Sequence, residues 1–155
     1  MTLSKIVSGG QTGVDRAALD AALAVCFPCG GWAPADRMAE DGLIPDRYPL
    51  TPLSKGGYRA RTRQNVDDSD GTALIYFSSL KGGTRLTRNL CALEKKPYVL
   101  VDAGRLSVEQ AIHAVRGFIE DHRIGVLNVA GPRASGWQQG RGFSLAAISG
   151  VLSLS

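Results

Sequence analysis

Residues 72–77, Thr72-Ala73-Leu74-Ile75-Tyr76-Phe77, form a β-rich run without polar alternation. A strand with one face in water alternates. A strand covered on both faces need not, and this is the pattern of an interior strand in a parallel sheet. Similar short apolar runs at 3–8, 29–32, 98–101 and 124–130 predict further strands. Between them lie segments of helical pattern at 14–25, 58–66, 83–95, 107–122 and 142–154. Strands alternating with helices imply βαβ units, hence an α/β fold of three layers with a mostly parallel sheet between helices. At 155 residues the chain is expected to be a single domain, 1–155, burying roughly two-thirds of its unfolded surface.

Local signals refine this outline. Thr12 and Asp15 fit the N-cap and N3 positions of a capping box, and Ser107 and Gln110 repeat that pattern further on. The stretch 33–57 lacks periodicity and holds prolines at 34, 45, 49 and 52. It reads as an irregular loop over the ligand pocket, since long loops in compact domains tend to be functional. The last helix is largely apolar, "FSLAAISGVLSL"; burial within the chain is the simpler reading, an interface the other. No apolar run is long enough to span a bilayer. The N-terminus runs directly into a strand-like segment with no leader pattern, which predicts a cytoplasmic protein.

Parallel strands deliver their C-terminal loops to one edge of the sheet, where ligands bind. Three of these loops carry glycines: Ser8-Gly9-Gly10-Gln11-Thr12-Gly13, Lys81-Gly82-Gly83-Thr84 and Ala130-Gly131-Pro132-Arg133-Ala134-Ser135-Gly136. Glycine lets a ligand touch the backbone, and the helix starts that follow favour an anion. None of the loops matches G-x-G-x-x-G or a P-loop. Together they predict one electropositive cradle built from Gly9, Gly10, Gln11, Thr12, Gly13, Lys81, Gly82, Gly83, Thr84, Gly131 and Arg133. Valine at Gly10 or Gly83 is expected to abolish anion binding and spare the fold.

The charged residues need the same weighing. Net charge is +4, and 13 of the 18 basic residues are Arg, whose planar fork suits phosphate. They are scattered, which argues against a nucleic-acid groove. Asp15 either caps its own helix or meets a ligand hydroxyl or amine. Arg16 reads as a surface or salt-bridge residue. Of Arg59, Arg61 and Arg63, at least one is expected to turn toward the sheet edge. Asp67, Asp68 and Asp70 read as a solvated turn rather than a metal site. Cys26-Phe27-Pro28-Cys29 follows a helix instead of opening one, so structural cysteines are expected rather than a redox or zinc pair.

Four blocks in order, "SGGQTGVDRAALDAA", "GWAPADRMAEDGLIPDRYPL", "RTRQNVDDSDGTALIYF" and "KGGTRLTRN", resemble the proposed molybdenum cofactor carrier proteins, also described as circularly permuted YpsA-like proteins. That resemblance covers nearly the whole chain. It implies a Rossmann-like fold related to the LONELY GUY-type phosphoribohydrolases, with their N-terminal strand and helix moved to the C-terminus as "VLNVAGPRASGWQQGRGFSLAAI". It also implies molybdopterin as cofactor and cargo, molybdoenzymes as recipients, and assembly into dimers or tetramers. From the scattered basic residues and the lack of a spanning run, no nucleic-acid or membrane partner is expected.

The hydrolases carry a P-G-G-x-G-T-x-x-E block whose glutamate works with an upstream arginine. Here the block reads Lys81-Gly82-Gly83-Thr84-Arg85-Leu86-Thr87-Arg88, with a glycine fewer and no carboxylate. Arg61 matches the arginine, and Glu94 lies about two turns too far on. Without the acid such a mechanism lacks its proton-handling group. Binding without catalysis is therefore favoured, with a catalytic residue at none of these positions. Cleavage of nucleoside 5'-monophosphates and non-catalytic nucleotide sensing are the alternatives. In the carrier reading Trp32 and Tyr48 cover the ligand's rings; core packing is the plain alternative for both.

Overall fold

The computed structural model describes residues 1–153. Leu154, the expected end of the last helix, lies outside them. In chain order the elements are β1 (Lys5–Val7), α1 (Val14–Ala24), β2 (Cys29–Gly30), β3 (Trp32–Ala33), β4 (Met38–Ala39), β5 (Gly42–Leu43) and β6 (Thr51–Pro52). Then follow α2 (Tyr58–Asp67), β7 (Gly71–Tyr76), α3 (Gly82–Leu93), β8 (Tyr98–Asp102), α4 (Val108–His122), β9 (Val126–Ala130) and α5 (Gly140–Ser153).

Five strands pair in parallel in the order β2-β1-β9-β7-β8. Each residue of β7 is buried, as its unalternated sequence predicts. Ala73 and Ile75 point into the main core, formed with Val14, Ala18, Val115, Ile119, Ile148 and Val151 from α1, α4 and α5. On the opposite face Val66, Leu90 and Cys91 join α2 to α3. The result is the three-layer, Rossmann-like α/β arrangement. Ala147, Ile148, Val151 and Leu152 of α5 are buried within the chain itself.

Strand β9, last in sequence, lies between β1 and β7. From β1 the chain moves outward to β2, and from β7 it moves outward to β8. The order therefore reverses around β9. A crevice opens at such a reversal, beyond the C-terminal strand ends. The register Val7↔Asn128 and Thr72↔Asn128 brings the ends of β1, β9 and β7 to that edge.

Two local expectations divide. Ser107 Oγ accepts from the Gln110 N–H at 3.2 Å and Gln110 Oε1 from the Ser107 N–H at 2.9 Å, so the capping box of α4 is present. The Thr12–Asp15 box is not. Helix α1 begins after Gly13, whose φ is +82°, and no side chain caps it. Thr12 turns away and donates its hydroxyl to Glu40 Oε1 at 2.5 Å.

The segment 33–57 also departs from expectation. It holds the antiparallel β4–β5 hairpin and the strand β6, which runs parallel to β3. Ala33, Ala39, Ile44, Tyr48 and Leu50 form a small core with Leu19 of α1. Arg37 bonds the carbonyls of Leu50 at 2.9 Å and of Ile44 and Pro45 at 3.2 Å, tying strandless backbone together. This is an annex to α1 rather than an irregular flap. Its strands are only two residues long, too short to show a period.

Candidate functional site

A cavity of about 610 Å³ opens at the C-terminal edge of β1, β9 and β7. All three glycine loops reach it. Gly9 and Gln11 come from the first, with Asp15 from the helix behind it. Lys81, Gly82, Gly83 and Thr84 come from the second, and Gly131 and Arg133 from the third. Arg61 enters from α2.

Gly10, Thr12 and Gly13 do not line the cavity; they build its wall. Gly10 has φ +77°, and a Cβ there would strike Leu50 of the annex. Valine at Gly10 thus disturbs packing, and only Gly83 suits a test of anion binding. A Cβ on Gly13 would stand 2.6 Å from the Pro132 carbonyl oxygen, so this glycine lets the first and third loops touch.

Arg61 is buried, and its Nη1 donates to the Gly9 carbonyl at 2.8 Å. Its guanidinium lies 5.3 Å from the Tyr58 ring centre. Arg59 is exposed, and Arg63 pairs with Glu94 at 3.2 Å, outside the cavity lining. Of the three arginines, Arg61 is the one that turns to the sheet edge. Arg16 bonds the Gly10 carbonyl at 3.0 Å and grips Asp41 through both terminal nitrogens at 2.6 and 2.8 Å, a structural tie.

Asp15 is 7% exposed, and its Oδ2 accepts from the Gln11 N–H at 3.4 Å. Burial pushes its pKa up to about 6. The Arg61 charge, the Gln11 and Gly131 N–H groups and Arg16 oppose that rise. Desolvation wins because the charged form loses more hydration than these neighbours restore. Helix α3 presents the opposite case. Its first residues are Gly82 and Gly83, its N-cap is Lys81, and no side chain caps it. Its N-terminal N–H groups and the helix dipole therefore offer the cavity positive potential. Thr87 or Arg88 stands where the hydrolases have their glutamate, and the Thr87 hydroxyl is held in a structural bond, donating to the Gly83 carbonyl at 2.8 Å.

Several contributors escaped the sequence reading. Glu40, in the turn of the β4–β5 hairpin, accepts from Thr12 Oγ1 at 2.5 Å, Ser135 N at 3.1 Å and Ser135 Oγ at 2.6 Å. The Ser135 and Thr12 hydroxyls, in that order, hold its carboxyl below the usual range. Glu40 clamps the first loop to the third. Its one sequence signal is the turn-like Glu40-Asp41-Gly42. The aromatic lining comes from Tyr58, Phe77 and Trp137, and the Phe77 and Trp137 rings stand 6.2 Å apart.

Trp32 and Tyr48 are not cavity covers. Trp32 donates its indole N–H to Asp68 at 2.6 Å beside a smaller cavity of about 360 Å³. Tyr48 is 2% exposed in the annex core. Asp70 accepts from the Gly125 and Val126 N–H groups at 3.0 and 2.8 Å, and Asp68 also takes Gln64. Both therefore do structural work in their turn. Cys26 and Cys29 are free thiols, and burial pushes the Cys29 thiol up, away from a reactive thiolate. Among the described residues no helix is long and apolar enough to cross a membrane.

A family model described as the circularly permutated YpsA SLOG family matches residues 6–149. The crystal structure, at 1.45 Å resolution, of a proposed molybdenum carrier protein from Syntrophus aciditrophicus resembles this chain with a TM-score of 0.95. The two are 42% identical, over 97% of this chain and 96% of that one. No curated protein matches the chain.

Proposed function

The chain belongs to the circularly permuted YpsA SLOG family, and from that premise we propose that its cavity carries molybdenum cofactor as cargo. One observation supports this above the others. The uncapped glycine start of α3 and the Phe77–Trp137 pair line the same cavity. An anion belongs at the first and a flat ring against the second. Molybdopterin offers both, a terminal phosphate and a pterin. Lys81 would add charge beside the phosphate, and Arg133 a fork for oxyanion oxygens. Gly9, Gln11, Arg61, Thr84 and Gly131 complete the proposed binding surface. The cargo's own metal chemistry stays with the cargo, and the protein's part is to hold it out of water.

Mass spectrometry and absorbance of protein purified without added ligand test this reading. The expected result is a bound pterin that is transferred to a cofactor-free molybdoenzyme. A bound nucleotide in its place would replace the carrier with a nucleotide sensor.

A second reading has its own observation. Asp15 brings a carboxylate of pKa about 6 into the cavity that holds Arg61. The acid missing from 81–88 could thus come from another loop, as a nucleoside 5'-monophosphate hydrolase requires. Release of free base from monophosphates, lost in Arg61→Ala, would establish that activity and overturn the carrier.

A further inference from the structure

Asp15 is the only carboxylate among the described residues that line the cavity. Two backbone donors, from Gln11 and Gly131, reach it. A carboxylate offers about four acceptor positions, so part of its capacity stays open to the cavity. The guanidinium that attracts it, Arg61, spends Nη1 on the Gly9 carbonyl and Nε on the Tyr58 carbonyl. Arg61 from α2 and Arg16 from α1 are the charged groups facing Asp15, and both favour its ionised form. An ionised carboxylate accepts and cannot donate. It also repels a phosphate. The part of a ligand lying over Asp15 must therefore be uncharged or cationic and rich in donors.

Resting on the reading that places the ligand's anion at α3, we propose that Asp15 is the specificity-determining acceptor of this cavity. It takes adjacent donors at the ligand's uncharged end. Two groups present such donors within the span of one carboxylate: the amino-lactam edge of a flat ring and the cis-diol of a sugar. A ligand bound here is bipolar, anionic toward Gly83 and donor-bearing toward Asp15. A simple dianion with phosphates at both ends is rejected at the Asp15 side.

Calorimetric titration at pH 8 with GMP, IMP and dGMP tests the proposal on wild-type protein and on Asp15→Asn. IMP lacks the ring amino group, and dGMP lacks one hydroxyl of the diol. One of these deletions is expected to weaken wild-type binding by about tenfold to a hundredfold, the range for a hydrogen bond to a charged group. The same deletion is expected to cost less than about twofold in Asp15→Asn, and its identity names the donor. Asp15→Ser serves as the second variant, with circular dichroism to verify the fold. Equal wild-type affinities for all three, or a loss that persists in the variants, overturn the role of Asp15 and leave the phosphate site standing. Failure of all three to bind wild-type protein overturns the phosphate site and this inference with it.

Discussion

Helices α1 and α3 both start at the same cavity, and both starts are rich in glycine. They differ at the second helical residue, which is Asp15 in α1 and Gly83 in α3. Asp15 accepts N–H groups of the first and third loops, so that end of the cavity already contains its anion. At α3 the first three helical residues are Gly82, Gly83 and Thr84, and no side chain caps them. Two loops that look alike in sequence thus present opposite electrostatics. A glycine-rich turn before a helix predicts close backbone approach. The residue at the second helical position decides whether an external anion is wanted there.

The most drastic way to break this contrast is to make α3 resemble α1. A Cβ at Gly83 would meet nothing within 4 Å, so Gly83→Asp fits without displacing its surroundings. An acidic residue in the first turn also suits the dipole, by about 0.3–1 kcal/mol. Affinity for a phosphate-bearing ligand is expected to fall by about a thousandfold, because like charges placed together cost several kcal/mol. Calorimetry reads the affinity, and a thermal melt no lower than wild type verifies the fold. Retained phosphate binding would move the anion away from α3.

The converse change is read through pH. Folding raises the Asp15 pKa from 3.8 to about 6. Between those values the native state keeps a proton that the unfolded chain has released. The stability linked to this proton is full below about pH 4 and is lost as pH rises to about 6. Asn does not titrate in that range. The stability of wild type relative to Asp15→Asn is therefore expected to decline by about 2 kcal/mol between pH 4 and 6.5, and then to level off. Urea midpoints across that range measure it. A flat difference would mean that Asp15 is not the buried anion of α1.

The contrast also explains what the sequence made legible. The unalternated run 72–77 identifies an interior parallel strand because both its faces are covered. Ser107 and Gln110 identify a helix start because their bonds are local. Thr12 and Asp15 show the same spacing but different bonds. The helix starts at Val14 as read, but Gly13 at positive φ is its N-cap, and a contact with Glu40, 28 residues away in sequence, captures Thr12. The helical pattern alone does not separate Arg61 from Arg59 and Arg63; the family resemblance picks it out, and its physical reason is the Gly9 carbonyl it meets, 52 residues away. Local chemistry is readable along the chain. Burial and partnerships between distant loops are not, and the candidate site consists mostly of these.

Glu40 tests whether the two ends depend on each other. It joins the first loop to the third but does not line the cavity. Glu40→Ala frees the Ser135 hydroxyl and leaves Thr12 Oγ1 with the Ala134 N–H alone, so both loops lose order that a bound ligand must restore. Affinity is expected to fall about tenfold, near the cost of ordering one or two side chains. Affinity equal to wild type would show that the direct bonds between the loops, from the Ala134 N–H to Thr12 Oγ1 at 3.1 Å and from the Val14 N–H to the Pro132 carbonyl at 3.4 Å, hold them in register without Glu40.

The smallest effect separates the ring from the charge. Trp137 lines the cavity beside Phe77, whereas Trp32 belongs to the smaller cavity and bonds Asp68. Replacing Trp137 with Leu keeps an apolar wall and removes the aromatic face, which is worth about 1 kcal/mol or roughly fivefold in affinity. That loss is expected for a ligand carrying both ring and phosphate, and not for inorganic phosphate, which meets α3 alone. Trp32→Phe is expected to change neither affinity. Calorimetry follows all of these titrations, because Trp137→Leu removes the indole at the cavity wall. An equal loss for inorganic phosphate in Trp137→Leu would mean that the indole shapes the start of α3. Ring and anion would then share one subsite, and the two ends of the cavity could not be assigned separately.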